Sequence, residues 1–239
     1  MKKQLTKLVV GVLFLILASF SQAAAGQITV SVKNLTNGIY FTPLLITAHN
    51  AATDLFETGE SASAALQAMA EGGDISGLTT QVGGADADTI ENPAGGLLGP
   101  GDSTVDVMLN TATGNDFLSI VAMLLPTNDG FVGMDSLPIP SVPGTYKYFL
   151  LGYDAGTEAN DERITGGGAP GVPGIPFAPA DDGGTKGKGV TDFESNTTVH
   201  VHRGVIGDEK RKKGISDLFS SIHRWLNPVA EVTVVVAAP

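Results

Sequence analysis

The chain runs to 239 residues with a formal charge of −11, no cysteine and 31 glycines. That acidity disfavours nucleic acid and anionic lipid as partners. The lack of cysteine excludes a disulfide scaffold, a thiolate metal centre and a lipid-modified amino terminus, so stability must come from a buried core.

Residues 1–25 have the order of a cleavable secretory signal. Lys2, Lys3 and Lys7 form a basic start, residues 8–20 an apolar stretch, and residues 21–25 a run of small side chains with cleavage expected after Ala23 or Ala25. The apolar stretch is short for a bilayer span and no later segment replaces it, so no transmembrane segment is expected once the signal is gone. Its removal takes three lysines and no acid, leaving a 26–239 domain of about −14 that is predicted to be secreted or periplasmic.

Beyond the signal, the apolar runs are short and rich in Val, Ile, Leu and Thr. Strands are predicted over 28–33, 104–109, 117–125, 146–151, 197–202 and 230–236. Alternation such as Ile28-Thr29-Val30-Ser31-Val32 belongs to antiparallel strands with one wet face. Helical spacing of apolar residues is found over 61–71 and again over 215–226. Residues 83–101 and 166–189 are rich in Gly and Pro, which predicts exposed loops that bury little. With no βαβ rhythm and no break in composition, the expected fold is one all-β antiparallel sandwich carrying short helices and long Gly/Pro-rich loops.

Two acidic stretches carry the chemistry. Pro126-Thr127-Asn128-Asp129-Gly130 follows one apolar run, and Tyr153-Asp154-Ala155-Gly156-Thr157-Glu158 follows another. Either is a competent turn without any ion. If the topology brings them to one edge, Asp129, Asp154 and Glu158 converge, and three carboxylates repel one another unless a cation joins them. Carboxylate and carbonyl oxygens suit calcium, Ca2+, which takes six to eight such ligands. Asn160, Asp161 and Glu162 are expected to be solvated.

His200 and His202 alternate on a strand, a spacing found in metal sites, and His49 could add a third nitrogen. The alternative is that they are polar strand residues. Residues 208–213 hold the basic run Lys210-Arg211-Lys212-Lys213 ahead of the predicted 215–226 helix, a pattern that either docks on membranes or is a solvated loop beside a packed helix. For hydrolysis there is no nucleophile elbow, no zinc-protease motif and no spacing that singles out a triad, so no enzyme activity is expected.

The order of motifs resembles the spondin N-terminal domain family. Val30-Ser-Val-Lys-Asn-Leu-Thr-Asn37 opens as that family does, and Phe41-Thr-Pro43, Thr47-Ala-His49, Leu55-Phe-Glu-Thr-Gly59 and Ala70-Glu-Gly-Gly73 follow its order. Trp225-Leu-Asn-Pro-Val-Ala230 is similar to its approach to the last strand. Its two acidic loops match the two here, except that Phe131 stands one place beyond the usual aromatic and Glu158 replaces an Asp. The resemblance implies a C2-like β-sandwich that binds calcium through Asp129, Asp154 and Glu158. It implies a non-enzymatic binding module meeting a partner at the cell surface or in a matrix. The alternatives are a metal-dependent enzyme built on His49, His200 and His202, and a structural envelope protein with no ligand.

Overall fold

A computed structural model of the chain describes residues 26–83, 87–111, 114–184, 186–190 and 197–238. The expected signal at 1–25 lies outside the described residues. In chain order the strands are β1 (Gln27–Asn34), β2 (Tyr40–Phe41), β3 (Leu45–His49), β4 (Asp88–Glu91), β5 (Val107–Asn110), β6 (Phe117–Leu125), β7 (Gly130–Pro138), β8 (Gly144–Asp154), β9 (His200–Val201) and β10 (Ala230–Val236). Among the described residues, three short α-helices interrupt them: α1 (Ala64–Gly72), α2 (Ser76–Val82) and α3 (Ser220–His223).

Every strand pairing is antiparallel, and the main path runs β4-β3-β6-β7-β8-β10-β1-β5. The Asn110 N–H donates to Asp88 Oδ2 at 2.6 Å, so the two edge strands of the path meet and the sheet nearly closes on itself. The predicted all-β antiparallel sandwich is the observed architecture. Its interior follows from alternation. Ile28, Val30 and Val32 of β1 and Val232, Val234 and Val236 of β10 point in to meet Ile46, Ile120, Leu124 and Val132 from the other half.

β6 is an exception to alternation, since all its residues after Phe117 are buried. Its second face, with Val121, Met123 and Leu125, lies under Leu66, Met69 and Ala70 of α1 and Leu78 of α2. α1 starts where Ser63 Oγ accepts the Leu66 N–H at 3.1 Å and ends at Gly73, whose φ of 74° a side chain would resist. Burying Leu66 alone removes enough apolar area to contribute about 2 kcal/mol.

Three expectations need correction. Residues 83–101 contain β4 and the buried Leu98, and residues 166–189 contribute the fully buried Ile175, so neither stretch is only an exposed loop. The 215–226 stretch is helical only at α3, and Ile215 of its apolar stripe is 48% exposed. Around it, carboxylates take the backbone N–H groups: Asp208 binds those of Lys210, Ile215 and Ser216, and Asp217 those of Ile164 and Gly187. Finally, α2 and the strand β7 were not anticipated.

Candidate functional site

β7 is what assembles the acidic loops. Because it runs between β6 and β8, those two strands point the same way, and the end of β6 lies beside the end of β8. Gly130 opens β7 directly opposite Asp154, the last residue of β8. The β6–β7 turn is tied by Thr127, whose Oγ accepts the Gly130 N–H at 3.0 Å. A side chain at Gly130 would press on that same oxygen at 2.7 Å and on the His202 ring at 3.2 Å. In the second loop, Asp154 Oδ1 accepts the Gly156 N–H at 2.8 Å, and Gly156 has a φ of 70° where a β-carbon would run into the Thr198 backbone.

Asp129 lies between the other two predicted acids. Its Oδ2 accepts N–H groups from Thr157 at 2.8 Å and Glu158 at 3.1 Å, and the Thr157 hydroxyl at 3.2 Å. Its Oδ1 is buried and has no hydrogen-bond partner among the described residues. Glu158 repeats the pattern. Its Oε2 accepts the Gly174 N–H at 2.9 Å and the Asn128 amide at 3.3 Å, while Oε1 is buried and unpartnered. Asp154 is the most fully engaged, accepting Asn160 Nδ2 at 2.5 Å and facing His200 Nε2 at 3.7 Å, both through Oδ2.

Asp129, Asp154 and Glu158 are all buried. Burial and the charge of Asp154 raise the Asp129 carboxyl to about 7, against the pull of its backbone donors. Burial likewise raises Glu158 to about 7, with the charges of Glu71 and Asp161 adding to it. Asn160 and Glu162 are not solvated as expected: both are buried, and Asp161 accepts the Asn128 amide at 3.0 Å. Asn128 therefore bridges Glu158 and Asp161, a link that turn chemistry alone could not reveal.

The histidines do not form one cluster. His49 pairs with Phe117 at the start of β6, the far end from the acidic loops. Its Nε2 meets Ser119 Oγ at 2.7 Å, and that serine lies 3.2 Å from Asp135 Oδ1. The serine sits in the middle and is fully buried, which is not the order of a hydrolytic triad, where histidine links the other two. His202 Nδ1 accepts the Gly204 N–H at 2.8 Å, so the neutral ring carries its proton on Nε2 and has no lone pair there for a metal. Burial pushes His202 down to about 4, although the charge of Asp154 acts the other way.

A hard cation fits the carboxylates at this edge. The donors are oxygens, two of them are buried without a partner, and burial together with neighbouring carboxylate charge is what raises Asp129 and Glu158. Among the described residues, no three of His, Asp or Glu are already spaced to close on one ion. Backbone carbonyls and water would therefore have to supply much of a calcium shell.

The Spondin_N family model matches residues 33–162, which is more than half of the chain and includes both acidic loops. The chain belongs to the spondin N-terminal domain family. No curated protein matches it. The matched span runs from β1 to just beyond Glu158, while β9, α3 and β10 lie outside it. Membership supports a non-enzymatic module of extracellular type. Among the described residues, no helix is long and apolar enough to cross a membrane.

Proposed function

We propose that the chain is a secreted or periplasmic calcium-binding module that acts in contacts at the cell surface or in a matrix. The observation that carries this is the pair of buried, unpartnered oxygens, Asp129 Oδ1 and Glu158 Oε1, on the two loops that the family model also spans. Asp129, Asp154 and Glu158, not already spaced to close on one ion, would draw together to hold it, and it would neutralise charge that burial otherwise makes costly. The bound ion would tie the β6–β7 turn to the loop after β8 and stiffen that edge for a partner. Export would follow from the signal at 1–25, trimmed within residues 21–25.

Metal analysis of the purified 26–239 domain after dialysis against mixed calcium, zinc and copper tests the choice of ion. Calcium alone near one per chain is the expected result. Stoichiometric zinc or copper without calcium would sink the proposal and revive a nitrogen-ligated centre. Mass spectrometry of exported protein tests the processing, and an intact Met1 terminus would contradict it.

A further inference from the structure

Positive charge is scarce in this chain but gathered in one place. Seven of its fourteen lysines and arginines fall within residues 186–213. Lys188, Lys210 and Lys213 line one pocket of about 260 Å³ together with Asp208, Gly214 and Ile215. The basic run is therefore not a loose tail beside a helix.

Its frame is rigid. Asp208 Oδ1 accepts the Lys210 N–H at 2.6 Å, and Oδ2 accepts those of Ile215 at 2.7 Å and Ser216 at 3.1 Å. The second wall is laced to the first, with the Lys188 N–H on the Gly214 carbonyl at 3.1 Å and the Gly189 N–H on the Ile215 carbonyl at 2.9 Å. A side chain at Gly214 would meet the Asp208 carboxylate at 2.1 Å, so that carboxylate would have to shift to admit it. Lys213 is held at a φ of 56° and nearby Lys186 at 63°, a left-handed conformation that such side chains adopt at a cost.

Among the described residues, the two acids of the basic run itself have partners of their own. Asp208 is spent on three backbone donors, and Glu209 turns away to Ser220 and Ser221. Among the described residues, Lys188, Lys210 and Lys213 form no salt bridge. Among the described residues, three lysines line the cavity against one carboxylate, Asp208, whose charge already meets Lys210, and the surplus positive charge matches a compact anion such as phosphate. The cavity has room for a phosphate and part of the group carrying it. It lies beyond residues 33–162, so it is not part of what the family model describes.

We propose that the pocket formed by Lys188, Lys210 and Lys213 binds a phosphate monoester group. A lipid headgroup and a soluble phosphate ester share that chemistry, and the protein's acidity elsewhere would orient this one face toward such a ligand.

The test is a titration of the ¹⁵N-labelled 26–239 domain with inorganic phosphate, against chloride at matched ionic strength. Saturable shifts confined to residues 186–190 and 208–216 are expected, with a dissociation constant on the order of 1 mM. The Lys188→Gln, Lys210→Gln, Lys213→Gln variant is expected to weaken binding by about tenfold or more, and Lys210→Gln alone by less. The remote Lys33→Gln, Lys147→Gln variant is expected to bind as the parent does. Flotation with phosphatidylcholine vesicles containing phosphatidic acid, against phosphatidylcholine alone, identifies the source. Binding to the former supports a lipid headgroup, and phosphate binding without flotation supports a soluble ester. Shifts that never saturate or scatter over the surface would overturn the proposal, as would undiminished affinity in the triple variant.

Discussion

Asp129 and Glu158 set the chemistry of the acidic edge. Each carboxyl is raised to about 7 in the folded chain, from ordinary values of 3.8 and 4.5. Between those limits the folded chain binds more protons than the unfolded chain, so their contribution to stability is present at low pH and is lost as pH rises toward and through 7. His202 has the opposite sign. Its value falls to about 4, so its contribution is present above its ordinary 6.5 and is lost as pH falls toward 4. The window that isolates the carboxylates is therefore about pH 6.5 to 8. Without calcium, the melting temperature is expected to fall across that window, and Asp129→Asn is expected to flatten the fall. A melting temperature that rises over the same window would contradict the assignment.

At the scale of elements, β7 decides whether there is a site at all. Its first residues carry the load: Phe131 is fully buried, with its ring 5.0 Å from Phe56 and 5.5 Å from Tyr153. Phe131→Ala is expected to cost about 3–5 kcal/mol in denaturant unfolding. Gly130→Ala, which meets Thr127 and His202, is expected to cost about 1–3 kcal/mol. β6 and β10 were legible with their observed ends because unbroken apolar runs mark them. β7 was not, since Gly130, Gly133, Asp135 and Pro138 break its pattern, and only its place between β6 and β8 makes it a strand. Asp129, Asp154 and Glu158 could be nominated from turn residues and resemblance, and the structure brings Asp129 beside both others. The setting of Glu158 was not legible, because Gly174 and Asn128 reach it across distant sequence. The predicted 215–226 helix had the right spacing, but its backbone pairs with other segments instead: the Ile215 carbonyl accepts the Gly189 N–H, the Asp217 N–H donates to the Glu162 carbonyl, and the Leu218 carbonyl accepts the Asp208 N–H.

On the scale of the whole molecule, the near-closed sheet and the segment around Gly174 and Ile175 connect core stability to the acidic edge. Ile175 is fully buried in the central core, and the adjacent Gly174 N–H holds Glu158. Ile175→Ala is expected to cost about 2–4 kcal/mol and to weaken calcium binding as well, measured by unfolding and by calcium titration of the same variant. Loss of stability with unchanged calcium affinity would show that the segment serves only the core. The central claim, a calcium ion shared by the two acidic loops, is tested most directly by thermal melting of the 26–239 domain as free calcium is raised from none to about 10 mM, a range that covers weak extracellular sites. The account predicts a melting temperature that climbs with the logarithm of calcium once the dissociation constant is passed, with most of the rise lost in Asp129→Ala and in Asp154→Ala. A melting temperature indifferent to calcium throughout that range, or an equal rise in those two variants, would contradict it.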